Sequence, residues 1–226
     1  MALVKCPKCG KEVSEKALKC VHCGLMITPN NKERQNKSPQ QLFDEACRYY
    51  KDLTLTVKRL GLALESIPSI DYSTEIALKQ IDWIVQYMLL TQALVDGEID
   101  TNERIFIDQI TEYGNLLGLI NEEHNLNLSW ESLEVFNNKI LFGIVKAMVN
   151  DIVGYVDDFV SFIAVADAYT DHDYYDDFRT DILNIAECLA YVDGDNGDYM
   201  GNNLFDNLFG NMYLDKKREA EKNKDK

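Results

Sequence analysis

Hydrophobic side chains recur at three- and four-residue steps through most of this chain, the spacing of helices that bury one face. Leu42, Ala46, Tyr49, Leu53, Val57, Leu60, Leu64 and Ile67 make the first such stripe. Ser38 precedes it as a cap, with Pro39 at the first helical position and Gln41 at the third. Pro68 should end this helix near Ser66. A second helix is predicted from about Thr74 to Val95. It carries Ile81, Ile84, Val85 and Met88 on one side and Trp83, Tyr87, Leu90 and Leu94 on another, the pattern of a helix buried at the centre of a bundle. Further helical segments are predicted at about 101–118, 130–152, 156–170, 174–192 and 202–222. In the last of these Phe205, Phe209 and Tyr213 recur at four-residue steps, a packing edge. Alternating β-branched runs are missing beyond the first 27 residues. The chain therefore reads as mostly α: a small N-terminal module joined to an all-α bundle of about seven helices over residues 39–214.

The module at residues 1–27 has a different character. Cys6-Pro7-Lys8-Cys9-Gly10 and Cys20-Val21-His22-Cys23-Gly24 give the spacing C-x2-C-x10-C-x2-C. Zinc takes four soft ligands in a tetrahedron, and each C-x-x-C turn delivers two thiolates to one ion. So short a segment cannot bury enough apolar surface to fold alone, so bound metal would supply the folding energy. A disulfide or redox reading is disfavoured by the duplicated motif and by an N-terminus without an apolar signal-peptide region, which points to the cytoplasm. Cys6, Cys9, Cys20 and Cys23 fill the zinc shell, so the site is expected to be structural, with His22 a solvated side chain. Residues 4–27 resemble the short zinc ribbons that open many bacterial multidomain proteins.

Charge separates the parts further. The net charge is −15, yet residues 1–38 hold 8 Lys/Arg against 3 Asp/Glu, while residues 39–214 hold 9 against 31. An acidic body of this kind repels nucleic-acid backbones and anionic membranes and suits cations and basic protein surfaces. Polyanion contact would have to come from the basic head. Thr28–Lys37, TPNNKERQNK, is polar without periodicity and reads as part of a flexible linker over 28–38. Residues 215–226 read as a charged, fraying tail. No apolar run reaches the length of a membrane span.

Two acidic Asp-Gly turns follow apolar helices. In Asp96-Gly97-Glu98-Ile99-Asp100-Thr101-Asn102-Glu103, Gly97 suits a helix end, Ile99 should face the core, and Asp100 with Glu103 forms a capping box. That account leaves Asp96 and Glu98 unexplained. The second turn places Asp193, Asp195 and Asp198 around Gly194 and Gly197. Neither has the glycine and glutamate positions of an EF-hand. Two hypotheses compete. Both turns are ordinary helix junctions, or Asp96, Glu98, Asp100, Glu103, Asp193, Asp195 and Asp198 together bind Ca2+, Mg2+ or Mn2+.

The segment LLTQALVDGEIDTNERIFIDQITEYGNLLGL resembles the helix–Asp-Gly–helix signature of the tellurite-resistance TerB-like family, matching at Asp96, Gly97, Ile99, Asp100 and Glu103. The second turn matches only at Asp193 and Gly194. The resemblance implies a helical bundle with acidic, metal-binding surfaces. It also implies a role in stress response or phage defence, often beside an ATPase or membrane-associated partner.

Other chemistry is thin. Asp167, Asp171 and His172 lie in an acidic run where Asp173 is better read as a helix cap. His124 should be exposed, and Cys47 and Cys188 fall on apolar faces as buried thiols. No phosphate loop, nucleophile elbow or zinc-protease motif occurs. The expected function is that of a non-enzymatic adaptor or sensor acting through protein partners. The alternative is a regulator whose ribbon contacts DNA or RNA. A hydrolase working at the acidic turns would lack an evident nucleophile or general base.

Overall fold

The computed structural model describes residues 3–5, 11–14, 34, 36–67, 70–94, 99–129, 138–192 and 205–224. Strands β1 (Leu3–Lys5) and β2 (Glu12–Ser14) pair antiparallel, with Leu3 opposite Ser14 and Lys5 opposite Glu12. Seven α-helices follow among the described residues: α1 (Pro39–Glu65), α2 (Thr74–Ala93), α3 (Thr101–Gln109), α4 (Leu116–His124), α5 (Asn138–Tyr169), α6 (Tyr174–Ala190) and α7 (Asn211–Lys224). A π-helical turn, Asp206–Gly210, leads into α7. The mostly helical body read from the periodicity is thus the fold of the chain. No described helix is long and apolar enough to cross a membrane.

Five of the helices, α1 to α4 and α6, start where the sequence supplies a capping side chain. Ser38 accepts from the Gln41 amide while its own N–H donates to Gln41 Oε1 at 2.8 Å, the full capping box, with Pro39 in the first turn. The first stripe then faces inward: Leu42, Leu53, Val57, Leu60 and Leu64 are buried, with Tyr49 and Ile67 at the margin. α1 packs chiefly on α6, and α7 on α5. The central α2 lies against α5 and α6 and is buried on nearly every side, as its all-round apolar pattern predicts. Phe178 joins the layers by meeting Phe159 of α5 and Phe205 and Phe209 at the π-helical turn.

Three expectations are corrected. The predicted helix 101–118 is two helices, because α2 pulls the chain out of helical geometry between them. Asp82 of α2 accepts from the amides of Tyr113 and Gly114, and Gln86 Oε1 accepts from Leu116 N–H. Asn115 then caps α4 through Gly118 N–H. Gly114 lies so close to Trp83 that an added Cβ would sit 2.9 Å from the indole nitrogen. Conversely, the segments predicted at 130–152 and 156–170 run together, residues 138–169 forming one 32-residue helix, α5, while 130–137 lie outside the described residues. No proline or cap interrupts it, and Gly154 alone does not stop a helix whose flanks are well packed. Finally, the charged end does not fray early. α7 runs to Lys224, Ala220 is buried, and Lys224 donates to the Ala168 carbonyl at 2.8 Å.

Gly154 is exposed in mid-helix and a Cβ there would meet nothing within 4 Å. Gly154→Ala should therefore stabilise the bundle by about 0.5–1 kcal/mol, by removing backbone entropy from the unfolded chain. Paired urea melts of the two chains would read this directly. A loss of stability would mean that the apparent open space at this position is filled.

Candidate functional site

Asp100 and Glu103 are where the capping reading places them. Asp100 Oδ1 accepts from Glu103 N–H at 2.7 Å, and Glu103 Oε2 accepts from Asp100 N–H at 2.9 Å. Glu103 is buried, and Ile99 packs half-buried against the core. Both carboxylates are thus engaged in starting α3. Asp96, Glu98, Asp193, Asp195 and Asp198 lie outside the described residues, as do the cysteines Cys6, Cys9, Cys20 and Cys23.

The flanks of the two Asp-Gly turns nevertheless meet. A groove of about 220 Å³ is lined by Pro39, Gln40 and Phe43 of α1, by Asn102, Ile105, Phe106 and Gln109 of α3, and by Val192 two residues beyond α6. Asn102 follows the first turn and Val192 immediately precedes the second. Phe43 and Phe106 close the floor edge to face at 5.5 Å, and Ile105 remains 45% exposed at the rim. One groove of mixed lining thus joins Asn102 and Val192, although they are ninety residues apart in sequence.

The donor set at the N-terminus fits a zinc ion. Two C-x-x-C pairs would offer it four thiolates, and Lys5 pairs with Glu12 on either side of Cys6 and Cys9 in sequence. In the bundle, no group of three or more His, Cys, Asp or Glu side chains is placed to hold a metal among the described residues. Asp167 is instead a buried anchor, accepting from Tyr174 N–H at 2.7 Å, Tyr175 N–H at 3.3 Å and Tyr213 OH at 2.8 Å. Asp173 caps α6 through Asp176 N–H. His172 pairs with Asp177 at 2.9 Å on the surface. Cys188 is fully buried and its thiol is pushed up to about 12 by burial, whereas Cys47 is only half-buried.

Sequence reasoning missed three polar centres. The first is Asp82, fully buried on α2, which accepts from Tyr50 OH at 2.7 Å as well as from the two amides. Burial raises its pKa against those hydrogen bonds. Its signal was there to be read: a carboxylate on an otherwise apolar helix. Asp167 is built on the same plan, with one tyrosine hydroxyl and two consecutive amides at the start of the next helix. Burial raises its pKa too.

The second centre surrounds Arg34, which lies inside the presumed linker and is fully buried. Its Nε and Nη2 donate to Glu45 Oε1 at 3.1 and 2.9 Å, Nη2 also donates to Asn184 Oδ1 at 2.9 Å, and Nη1 donates to Glu187 Oε2. Lys37 adds a second cation on Glu45. Burial opposes ionisation of Glu45, but the hydrogen bonds from Lys37 and Arg34 hold its pKa below the usual value. Glu187, more deeply enclosed and facing Glu45, is raised by burial despite Arg34.

The third is an uncompensated acid. Asp181 on α6 is half-buried, and burial, then the charges of Asp52 and Asp177, push its carboxyl up to about 7. An acid with a raised folded-state pKa costs no stability below its unfolded value near 4. The cost grows as pH rises and is complete above about 7. Asp181→Asn should match the parent chain near pH 4 and exceed it by about 1–2 kcal/mol at pH 8, after discounting for partial solvent access. Melting temperatures across that range test it, and a pH-independent difference would contradict it.

Comparison of the chain with protein-family models, with curated proteins and with solved structures finds no match, so the sequence and geometry above carry the functional reading.

Proposed function

We propose that the protein is a non-enzymatic adaptor or sensor: a zinc ribbon tethered to a TerB-like helical body that binds protein partners in a bacterial stress-response or phage-defence system. The observation that carries this reading is the groove lined by α1, α3 and Val192. It offers a small apolar floor at Phe43, Ile105 and Phe106, on a body holding 31 Asp/Glu against 9 Lys/Arg. Such a surface suits a basic partner segment with one or two apolar anchors. Zinc at the four cysteines stabilises the ribbon and leaves no coordination position for chemistry. An ATPase as partner rests on the TerB-like resemblance.

Divalent cations at the turns would add a sensing function, with Asp96, Glu98, Asp193, Asp195 and Asp198 as the candidate ligands besides Asp100 and Glu103. Calorimetric titration of the full chain with Ca2+, Mg2+ and Mn2+ tests that part, and silence with all three removes it. Partner binding is tested by cross-linking and affinity purification from the native host, using Ile105→Asp as the control. An adaptor working through this groove loses its specific partner in the variant. Identical partners from both chains would refute the assignment.

The basic balance of residues 1–38 favours one second reading, a ribbon that contacts DNA or RNA while the body binds protein. Binding of the full chain to nucleic acid that weakens steeply with salt would support it. No binding at low salt would eliminate it.

A further inference from the structure

Charge on the bundle surface is not evenly spread. Residues 39–214 hold 9 Lys/Arg against 31 Asp/Glu, yet four of the nine, Arg48, Lys51, Lys58 and Arg59, share one stretch of α1 with a single acid, Asp52. All five side chains are exposed. Cations elsewhere on the bundle find carboxylates: Lys79 pairs with Glu75, Arg179 with Asp206 and Lys216 with Asp157. Lys51, Lys58 and Arg59 meet no carboxylate at ion-pairing distance among the described residues. Lys58 instead lies over the Tyr113 ring, 5.7 Å from its centroid, and donates to the Tyr113 hydroxyl at 3.4 Å.

The same face carries two leucines that the bundle does not bury. Leu55 is 44% exposed and Leu62 68%, the highest value among the described large apolar side chains. Single exposed leucines need no explanation. These two lie seven residues apart, two helical turns or about 10.5 Å, and so stand on one line along α1. Lys51 and Lys58 each precede a leucine by four residues, which places them on the same line. The pattern is half of a helix–helix seam: apolar anchors at a heptad spacing, flanked by charge of one sign.

We propose that the Arg48–Leu62 face of α1 docks an acidic amphipathic helix of a partner protein, one with two apolar anchors at seven-residue spacing flanked by Asp or Glu. Charge complementarity selects this occupant. Residues 1–38, with 8 Lys/Arg against 3 Asp/Glu, are repelled by the face. A second copy fits poorly, because an antiparallel pairing of Leu55 with Leu62 sets Lys58 against Arg59, and a parallel one sets each lysine against itself. An anionic membrane would meet the acid excess of the body behind only two apolar anchors. None of these residues lines the groove at Pro39, Gln40 and Phe43, so the face stands or falls independently of that site.

The test uses the full chain and a fluorescent stapled helical peptide with two leucines seven residues apart, each flanked by glutamates. This peptide is expected to bind about tenfold more tightly than a version with alanines for the leucines, or one with lysines for the glutamates. Leu62→Gln should remove that advantage, and Leu55→Gln serves if the first variant does not fold. Lys51→Glu combined with Lys58→Glu should reverse the charge preference, so that the lysine peptide binds best. Ile105→Asp should leave all of this unchanged. Equal binding of the leucine and alanine peptides, or binding of neither, overturns the assignment. Binding to phosphatidylserine–phosphatidylcholine vesicles that Leu62→Gln abolishes, with no binding of the acidic peptide, would overturn it in favour of a membrane surface. Dimerisation of the parent chain that Leu62→Gln abolishes would overturn it in favour of a second copy.

Discussion

Asp82→Ala is expected to destabilise the bundle by about 3–5 kcal/mol, a large effect for one substitution. The carboxylate is fully buried and serves three donors: Tyr50 OH and the amides of Tyr113 and Gly114. Removing it orphans all three, and each buried unsatisfied donor costs about 1–3 kcal/mol. It also frees the turn between α3 and α4, which Tyr50 supports again by accepting from Glu112 N–H at 3.0 Å. Asp82→Asn should cost less, about 1–2 kcal/mol, since one amide oxygen still accepts while the NH2 faces donors. Tyr50→Phe should fall in the same range. Urea denaturation gives these values as shifts of midpoint at unchanged slope. If Asp82→Ala stays within about 1 kcal/mol of the parent chain, the anchor is not what breaks the predicted helix 101–118.

Stripping metal from the zinc-loaded chain should have the largest effect of all, confined to the N-terminus. On the proposed reading, metal supplies the folding free energy of residues 1–27, about 10–16 kcal/mol for a structural zinc site at neutral pH. A chelator should release zinc in a one-to-one ratio to chain and raise hydrogen exchange across the ribbon. The helical bundle should keep its melting temperature, because among the described residues its core is built from Leu42 onwards. Cys6→Ser or Cys20→Ser should weaken zinc binding by orders of magnitude, since each removes one of four thiolates. The proposal fails if the purified chain neither contains nor takes up zinc. Melting of the bundle on metal removal would instead mean that the two parts fold as one.

Helix starts were the most legible part of the fold, because a cap is a local device. Ser38, Asp100 and Asp173 each bond to an amide three residues ahead, and short spacing in sequence is enough to reveal that. The candidate cation ligands divide on the same principle. Asp100 and Glu103 had a local explanation, and that is the one they satisfy. The groove had none, since it requires α1, α3 and Val192 beyond α6 to be brought together.

What the sequence determined by itself is the helical class, the inward stripe of α1, the burial of α2 and the separation of a cysteine-rich basic head from an acidic body. These follow from periodicity, composition and charge, which act over a few residues or over whole segments. Tertiary structure alone decided where helices stop without a local signal, as Asp82 does between α3 and α4, and where they continue through an expected break, as α5 does across Gly154. It also decided that Arg34, one cation in a polar linker, is enclosed by carboxylates from α1 and from α6, more than a hundred residues further along the chain. A buried charge is placed by whichever partners the whole fold brings within reach, and those partners leave no pattern in the neighbouring sequence.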